Sequence, residues 1–213
     1  MQLSLDDVYL TKTERAALAA ELHPMFSTRG PPGTHDLELL DRTVAALSIA
    51  GPDDETPMPV FDKLADERVV EGRWPRFRGR PRAILIDGWC LGALPEESDA
   101  LASPLNRLET ERDPDGVWRR AVNAFAGDAY LALAERLDAR LFLRAPGFDA
   151  VLDWRCEQEA DLRKRPLAAE ERHAIADFIL YFERLTRRMI DGGVHADIVV
   201  QLDRNRQPVT VAS

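Results

Sequence analysis

The stretch Arg82-Ala83-Ile84-Leu85-Ile86-Asp87-Gly88-Trp89-Cys90-Leu91-Gly92-Ala93 carries more structural information than any other part of the chain. A short apolar run ends in one carboxylate, and a Gly-rich loop follows. Such a run reads as a strand buried on both faces of a parallel sheet. In open α/β sheets, ligands sit outside the carboxyl ends of the strands. Asp87 would then stand at the mouth of a site, placed to hold a water or a Mg²⁺ ion. The alternative is a buried strand whose last residue merely starts a turn.

Working outward, composition bounds the answer. At 213 residues, one domain is expected, and 45% apolar content is enough for a real core. Acidic residues number 37 against 28 basic ones, a net charge of −9. That balance argues against a general nucleic-acid binder and suits a soluble enzyme with locally concentrated positive charge. Arg73, Arg76, Arg78, Arg80 and Arg82 form one such concentration. With Pro75 and Pro81 as stiffeners, they read as a solvated loop. Lysine occurs only at Lys12, Lys63 and Lys164. Cys90 and Cys156 make no disulfide framework and read as reduced thiols in a cytosol. No apolar run reaches the ~18 residues that a membrane span needs. No signal peptide is visible.

Strands and helices alternate. Gln2–Leu5 reads as a strand running into Asp6-Asp7. Lys12–Leu22 is a helix capped by Thr11 or Thr13. His23–His35, rich in Pro and Gly, is a loop. Asp36–Ile49 is a helix with Leu37, Leu40, Val44 and Leu47 on one stripe, and Met58–Phe61 is a short extended piece. After the strand Ala83–Ile86 come a short helix, Pro104–Glu111, and a long one, Val117–Leu137. In the long helix Trp118, Val122, Phe125, Ala129, Leu133 and Leu137 recur at helical spacing. Arg140–Leu143 is a strand. Helices Phe148–Arg165 and Leu167–Ile190 follow, the second burying Ile175, Phe178, Ile179, Phe182, Leu185 and Met189. Ile198–Leu202 is a late strand, and Pro208–Val211 an edge strand. The alternation predicts α/β architecture with a mainly parallel sheet.

Four clusters are candidates for chemistry. In Ser4-Leu5-Asp6-Asp7-Val8-Tyr9 two acids follow a strand end, where a carboxylate can accept a proton from a substrate hydroxyl; alternatively they cap the next helix. Thr28-Arg29-Gly30-Pro31-Pro32-Gly33-Thr34-His35-Asp36 holds an Arg, a His and an Asp on a stiffened loop. The Arg fork suits a carboxylate or phosphate, whereas Asp36 also suits a helix cap. Phe61-Asp62-Lys63 places a rare Lys after an extended segment, as an anion contact or as an ion pair with Asp62 or Asp66. Arg155, Gln158, Glu159, Leu162 and Arg163 share one helix face, either a ligand lid or a solvated, salt-bridged surface.

Taken in order, SLDDVYL, HPMFSTRGPPGTHD, PVFDK, ILIDGWCLGA, PLNRLE, DGVWRRAVN, VLDWRCEQEADL, FILYFERLTRRMI and ADIVVQLDRNR resemble the D-glycerate 3-kinase type of P-loop kinase. That group is related to uridine kinases, pantothenate kinases and phosphoribulokinases. The matches run over nearly the whole chain. The resemblance implies a three-layer P-loop kinase-like fold in a single domain over 1–213, with a helical lid at about 148–166. It implies transfer of the ATP γ-phosphate, with Mg²⁺, to a hydroxyl of a small hydroxy acid such as D-glycerate, in the cytoplasm. Neither nucleic acid nor a membrane is implied as a partner. Asp6 matches the general base of the S-x-D-x-x-Y signature. Asp87 matches the Walker B acid, commonly Glu in the family, and would reach Mg²⁺ through water. Arg29, Thr34, His35 and Asp36 fall where relatives line the acceptor pocket, together with Asp7, Tyr9, Asp62 and Lys63. Arg155 matches a catalytic lid residue that closes over phosphates, with Gln158 and Arg163 beside it on the nucleotide side.

One departure stands out. The sequence contains no G-x-x-x-x-G-K-[ST], so the backbone N–H cradle, its Lys and the Mg²⁺-binding hydroxyl are missing from it. The first strand and phosphate loop of the family should precede SLDDVYL, flanked by the Asp87 and Leu141 strands. The expectation is therefore a truncated chain with an empty slot, or a sheet in which those two strands pair directly. ATP binding is expected to be impaired. The competing reading is a non-catalytic, degenerate kinase or fragment that binds a small acid or a partner protein; a third is a kinase of another acceptor, a nucleoside or pantothenate.

Overall fold

The structure, a computed structural model, describes residues 1–212. The chain forms two compact units, Met1–Leu91 and the remainder from Gly92 onward.

In the first unit, β1 (Gln2–Ser4) runs parallel to β6 (Leu85–Asp87), with Ser4 opposite Asp87. A 3₁₀ turn at Leu5–Asp7 follows β1, its first N–H accepted by Ser4 Oγ. Helix α1 (Lys12–Glu21) starts at Thr11, whose hydroxyl accepts from the Glu14 N–H while Glu14 returns to the Thr11 N–H. That reciprocal box fixes the helix start that the sequence left open between two threonines. Helix α2 (Leu37–Ile49) is capped by Asp36 and buries Leu39, Leu40, Thr43 and Leu47. Two antiparallel pairs cross the middle of the unit: β2 (Glu55–Pro57) with β5 (Arg76–Arg78), and β3 (Phe61–Asp62) with β4 (Glu67–Arg68). The core holds Leu3, Leu5, Val8, Met25, Phe26, Leu40, Leu47 and Phe61.

The second unit begins with α3 (Arg107–Arg112), capped by Asn106, so the helix starts later than Pro104. Next comes α4 (Val117–Phe125), a π segment at Ala126–Tyr130, and α5 (Leu131–Glu135). A buried ion pair, Arg119–Asp113 at 3.0 Å, anchors the start of α4. Strand β7 (Leu141–Arg144) pairs in parallel with β8 (Ile198–Leu202), and β9 (Pro208–Ala212) adds antiparallel to β8. Helices α6 (Phe148–Arg163) and α7 (Ala169–Ile190) pack on each other.

Several expectations change. Among the described residues the strands do not form one mainly parallel sheet; they divide among four small sheets, with two parallel pairings and three antiparallel ones. The arginine-rich segment is not all loop: Arg76-Phe77-Arg78 alternates outward charge with an inward ring, which is strand periodicity. The predicted stripe of the long helix slips by one. Ala126 and Tyr130 are buried where Phe125 and Ala129 were expected, because a π turn inserts one extra residue. In α7 Ile179, Leu185 and Met189 are buried, but Phe178 lies at the surface.

The strand that ends in Asp87 is not buried on both faces: Leu85 is 65% exposed. Leu141 and Leu143 of β7 are 58% and 57% exposed. Among the described residues, β6 bonds only to β1, and β7 only to β8. Direct pairing of the Asp87 and Leu141 strands is not what the fold adopts. No helix is long and apolar enough to cross a membrane, among the described residues.

Candidate functional site

The end of β1 and the loop before α2 are tied by main-chain bonds. Leu10 N–H donates to Thr34 O at 2.9 Å and Asp36 N–H to Val8 O at 2.7 Å, so Tyr9 lies directly opposite His35. The loop between them turns on Gly30 and Gly33, at φ 115° and 97°, values that disfavour any residue with a Cβ. Buried Thr34 closes it: its hydroxyl donates to Pro31 O at 2.7 Å and accepts from Gly30 N–H at 2.9 Å.

This scaffold stacks the Tyr9 ring on His35, with centroids 4.6 Å apart, and sets Phe61 edge-on to Tyr9 at 5.1 Å. The aromatic wall aims the Tyr9 hydroxyl at Asp6, where it donates to Oδ1 at 2.6 Å. Lys63, brought in by the β3–β4 turn, donates to Asp6 Oδ2 at 2.6 Å. Lys63 therefore pairs with Asp6, not with the neighbouring Asp62 or Asp66. Asp66 instead clamps two guanidinium groups, Arg15 at 2.7 Å and Arg29 at 2.5 Å, and both lie 5.7 Å from the Phe61 ring centre. Asp36 caps α2 and holds Arg68 at 2.7 Å. Asp62 accepts the N–H groups of Leu64 and Ala65 in its own turn.

The electrostatics separate neighbouring acids. Burial alone would raise the Asp6 carboxyl, but the hydrogen bonds from Lys63 and Tyr9 outweigh it and hold the group below the usual carboxylate range. Asp7 is pushed the other way, chiefly by burial, with the Asp6 and Asp87 charges adding to it. Burial, then the Asp6 charge and hydrogen bond, raise the Tyr9 phenol, which stays a proton donor. Burial lowers His35 to about 3, so its imidazole is neutral near pH 7. Burial also lifts the Cys90 thiol to about 12, making it inert.

Asp87 sits exposed at the end of β6, its two oxygens accepting from Gln2 Nε2 at 2.9 Å and Ser4 Oγ at 2.8 Å. With its oxygens so engaged, it suits a metal-bound water better than direct ligation. Among the described residues no group of three acidic, His or Cys side chains is arranged to enclose a metal ion. The sequence has no G-x-x-x-x-G-K-[ST] turn to cradle a triphosphate; Asp87 fits an Mg²⁺-bound water.

Arg155 belongs to the other unit, on the face of α6 that the sequence singled out. It donates to Gln158 and Glu159, at 2.5 and 2.7 Å, and Arg163 donates to the same Glu159 at 3.3 Å. These are contacts within one helix. A cavity of about 340 Å³ between α6 and the start of α7 is lined by Asp153, Cys156, Glu157, Ala160, Leu167 and Arg172, and by none of the predicted site residues.

Within the first unit the structure thus brings together Asp6, Tyr9, His35 and Lys63, with Asp7 and Arg29 close by. Sequence reasoning missed Arg15 and Arg68, and it offered Asp66 only as a partner for Lys63. Their signal would have been long-range pairing, which residue spacing does not carry.

Comparison with known proteins finds no matching family profile. The chain is 28% identical over 231 residues to the uncharacterized kinase mug58 of Schizosaccharomyces pombe, covering 99% of this chain and 79% of that protein. It is 26% identical over 223 residues to the chloroplastic D-glycerate 3-kinase of Arabidopsis thaliana, spanning 97% of this chain but 46% of the plant enzyme. The fold matches the solved D-glycerate 3-kinase of Cryptococcus neoformans with a TM-score of 0.78 at 19% identity, over 100% of this chain and 79% of that one.

Proposed function

We propose that this chain, a relative of D-glycerate 3-kinase and of kinases like it over nearly its whole length, carries the acceptor side of a small-acid kinase. The observation that carries the reading is the Asp6 carboxylate held between the Tyr9 hydroxyl and the Lys63 ammonium, each at 2.6 Å. An ionised carboxylate fixed on a rigid aromatic wall is a fit acceptor for the proton of a substrate hydroxyl. Lys63 supplies positive charge for the acid group of a hydroxy acid such as D-glycerate, and Arg29, clamped by Asp66, adds only to the positive field nearby. Neutral His35 and Tyr9 shape the wall. Asp87 would hold a water of Mg²⁺, and Arg155, with Gln158 and Arg163, would act as a lid over phosphates. When bound, ATP supplies the phosphoryl group; catalysis of that transfer is mostly positioning and charge stabilisation. The two buried, free thiols suit a reducing compartment such as the cytoplasm.

A second reading has its own support. The sequence lacks a phosphate-loop motif, and β6 and β7 each expose apolar side chains beside an unpaired edge. These 213 residues by themselves are then a small-acid binder with weak or no nucleotide affinity. Calorimetric titration with Mg·ATP and, separately, with D-glycerate decides between the readings. Glycerate binding without tight Mg·ATP binding is the expected result. Tight Mg·ATP binding would remove the second reading, and absence of glycerate binding would remove glycerate as the acid in both.

A further inference from the structure

We infer that Lys63 couples recognition of the acceptor's anionic group to release of the Asp6 carboxylate, a step that rests on the acceptor-site reading above. Both Asp6 oxygens are engaged, Oδ1 by Tyr9 and Oδ2 by Lys63. An ammonium at 2.6 Å stabilises the ionised carboxylate and so weakens it as a proton acceptor. Each oxygen keeps a second lone pair, but losing one of the two partners makes Asp6 a stronger acceptor for the proton of an incoming hydroxyl.

Tyr9 is the wrong one to move. Its ring is buried between His35 and Phe61, and its backbone is bridged to the loop before α2. Lys63 is free to swing: its side chain is half-exposed, and its charge rides on a flexible four-carbon stem. An exposed ion pair of this kind is weakly held. The neighbouring arginines are committed elsewhere, Arg15 and Arg29 to Asp66, and Arg68 to Asp36 and Glu14. A carboxylate entering beside Asp6 therefore meets one cation able to turn toward it. When Lys63 turns, Oδ2 is bared as a hydrogen-bond acceptor for the hydroxyl of the same molecule. A neutral acceptor leaves Lys63 on Asp6 and the base quenched. Selectivity for acids thus arises from gating of the base as well as from attraction.

The test is calorimetric binding of D-glycerate and of its uncharged amide to the unaltered chain, to K63M and to K63R, together with the ¹³C-carboxyl resonance of Asp6 in the unaltered chain and in K63M. We expect the unaltered chain to prefer glycerate about tenfold or more, K63M to lose that preference, and K63R to restore part of it. Glycerate should shift the Asp6 titration upward by more in the unaltered chain than in K63M, since only the unaltered chain loses the ammonium as well as gaining a neighbouring anion; the amide should shift neither. Glycerate preference surviving in K63M, or an Asp6 titration that glycerate shifts no more in the unaltered chain than in K63M, would overturn the inference alone. Failure of the unaltered chain to bind glycerate would remove glycerate as the acid and this inference with it.

Discussion

The Asp6 cluster and the polar face of α6 carry similar residue types and are built in opposite ways. Around Asp6 each ion pair joins segments far apart in sequence: Lys63 reaches Asp6, Asp66 reaches Arg15 and Arg29, and Arg68 reaches Asp36. On α6 Arg155 bonds to Gln158 and Glu159, and Arg163 to Glu159, three or four positions away on the same helix, and Arg163 reaches beyond it only to Glu171 of the next helix at 3.2 Å. Long-range pairs hold a geometry only while the fold is intact; the buried ones, such as Arg15–Asp66, fix side chains to within hydrogen-bond precision, while half-exposed Lys63 keeps its freedom to turn. Helical neighbours pair in any helix of that sequence and let go cheaply. The contrast identifies the first region as a preorganised site. The second is a surface able to change partners.

That contrast breaks most visibly at Asp66. Asp66→Ala removes the carboxylate that faces Arg15, whose side chain is 2% exposed, and leaves a buried guanidinium unbalanced. Removing one partner of such a pair should destabilise by about 3 kcal/mol, read as a lower urea midpoint with an unchanged slope. A variant as stable as the parent would mean that Arg15 is satisfied by main-chain carbonyls alone, those of Leu10, Ser27 and residue 66.

Gly88→Ala tests the packing beneath the site. A Cβ there would come within 2.4 Å of the buried Leu5 side chain. Overpacking of this kind costs about 1–3 kcal/mol. It should also disturb Asp6 in the turn that Leu5 opens, visible as shifted amide resonances at Asp6 and Asp7.

These sites show what was legible in the sequence and what was not. Asp36 as a helix cap was readable, and the start of α1 was narrowed to Thr11 or Thr13, because capping is local chemistry. The parallel pairing that sets Ser4 beside Asp87 joins segments 83 residues apart and was not readable from either strand alone. The Asp6–Lys63 pair, 57 residues apart, left no mark in spacing or composition. Arg15 is a helical arginine like any surface one until tertiary structure buries it. The β2–β5 and β3–β4 pairs have strands of only two or three residues, too short for periodicity to register. The π turn at Ala126–Tyr130 displaced the buried stripe because it changes the very period from which the stripe was read.

Acid sensitivity sharpens the comparison further. His35 stays neutral in the fold down to about pH 3, whereas the unfolded chain takes up that proton near pH 6.5. The unfolded state then binds more protons across this window, so stability is full above pH 6.5 and declines as pH falls. The slope from this one group is about 1.4 kcal/mol per pH unit below about 6. Asp6, with its carboxyl lowered, adds its own loss only below its unfolded value of 3.8. His35→Phe keeps a ring on Tyr9 and should flatten the dependence between pH 6 and pH 4 in urea titrations. An unchanged slope would place the acid sensitivity elsewhere.

The smallest effect belongs to α6. Arg155→Ala breaks half-exposed contacts within one helix and should change stability by no more than about 0.5 kcal/mol. A loss comparable with that of Asp66→Ala would show that Arg155 holds the fold together as Arg15 does, and the distinction between the two regions would fail.

The most direct test of the acceptor site is a D-glycerate titration of the ¹⁵N-labelled chain followed by amide chemical shifts. Saturable shifts should concentrate at Asp6–Leu10, Thr34–Asp36 and Lys63, the segments that frame the Asp6 carboxylate. Shifts confined to α6, or a spectrum that glycerate leaves unchanged, would contradict the assignment of this cluster as the acceptor site.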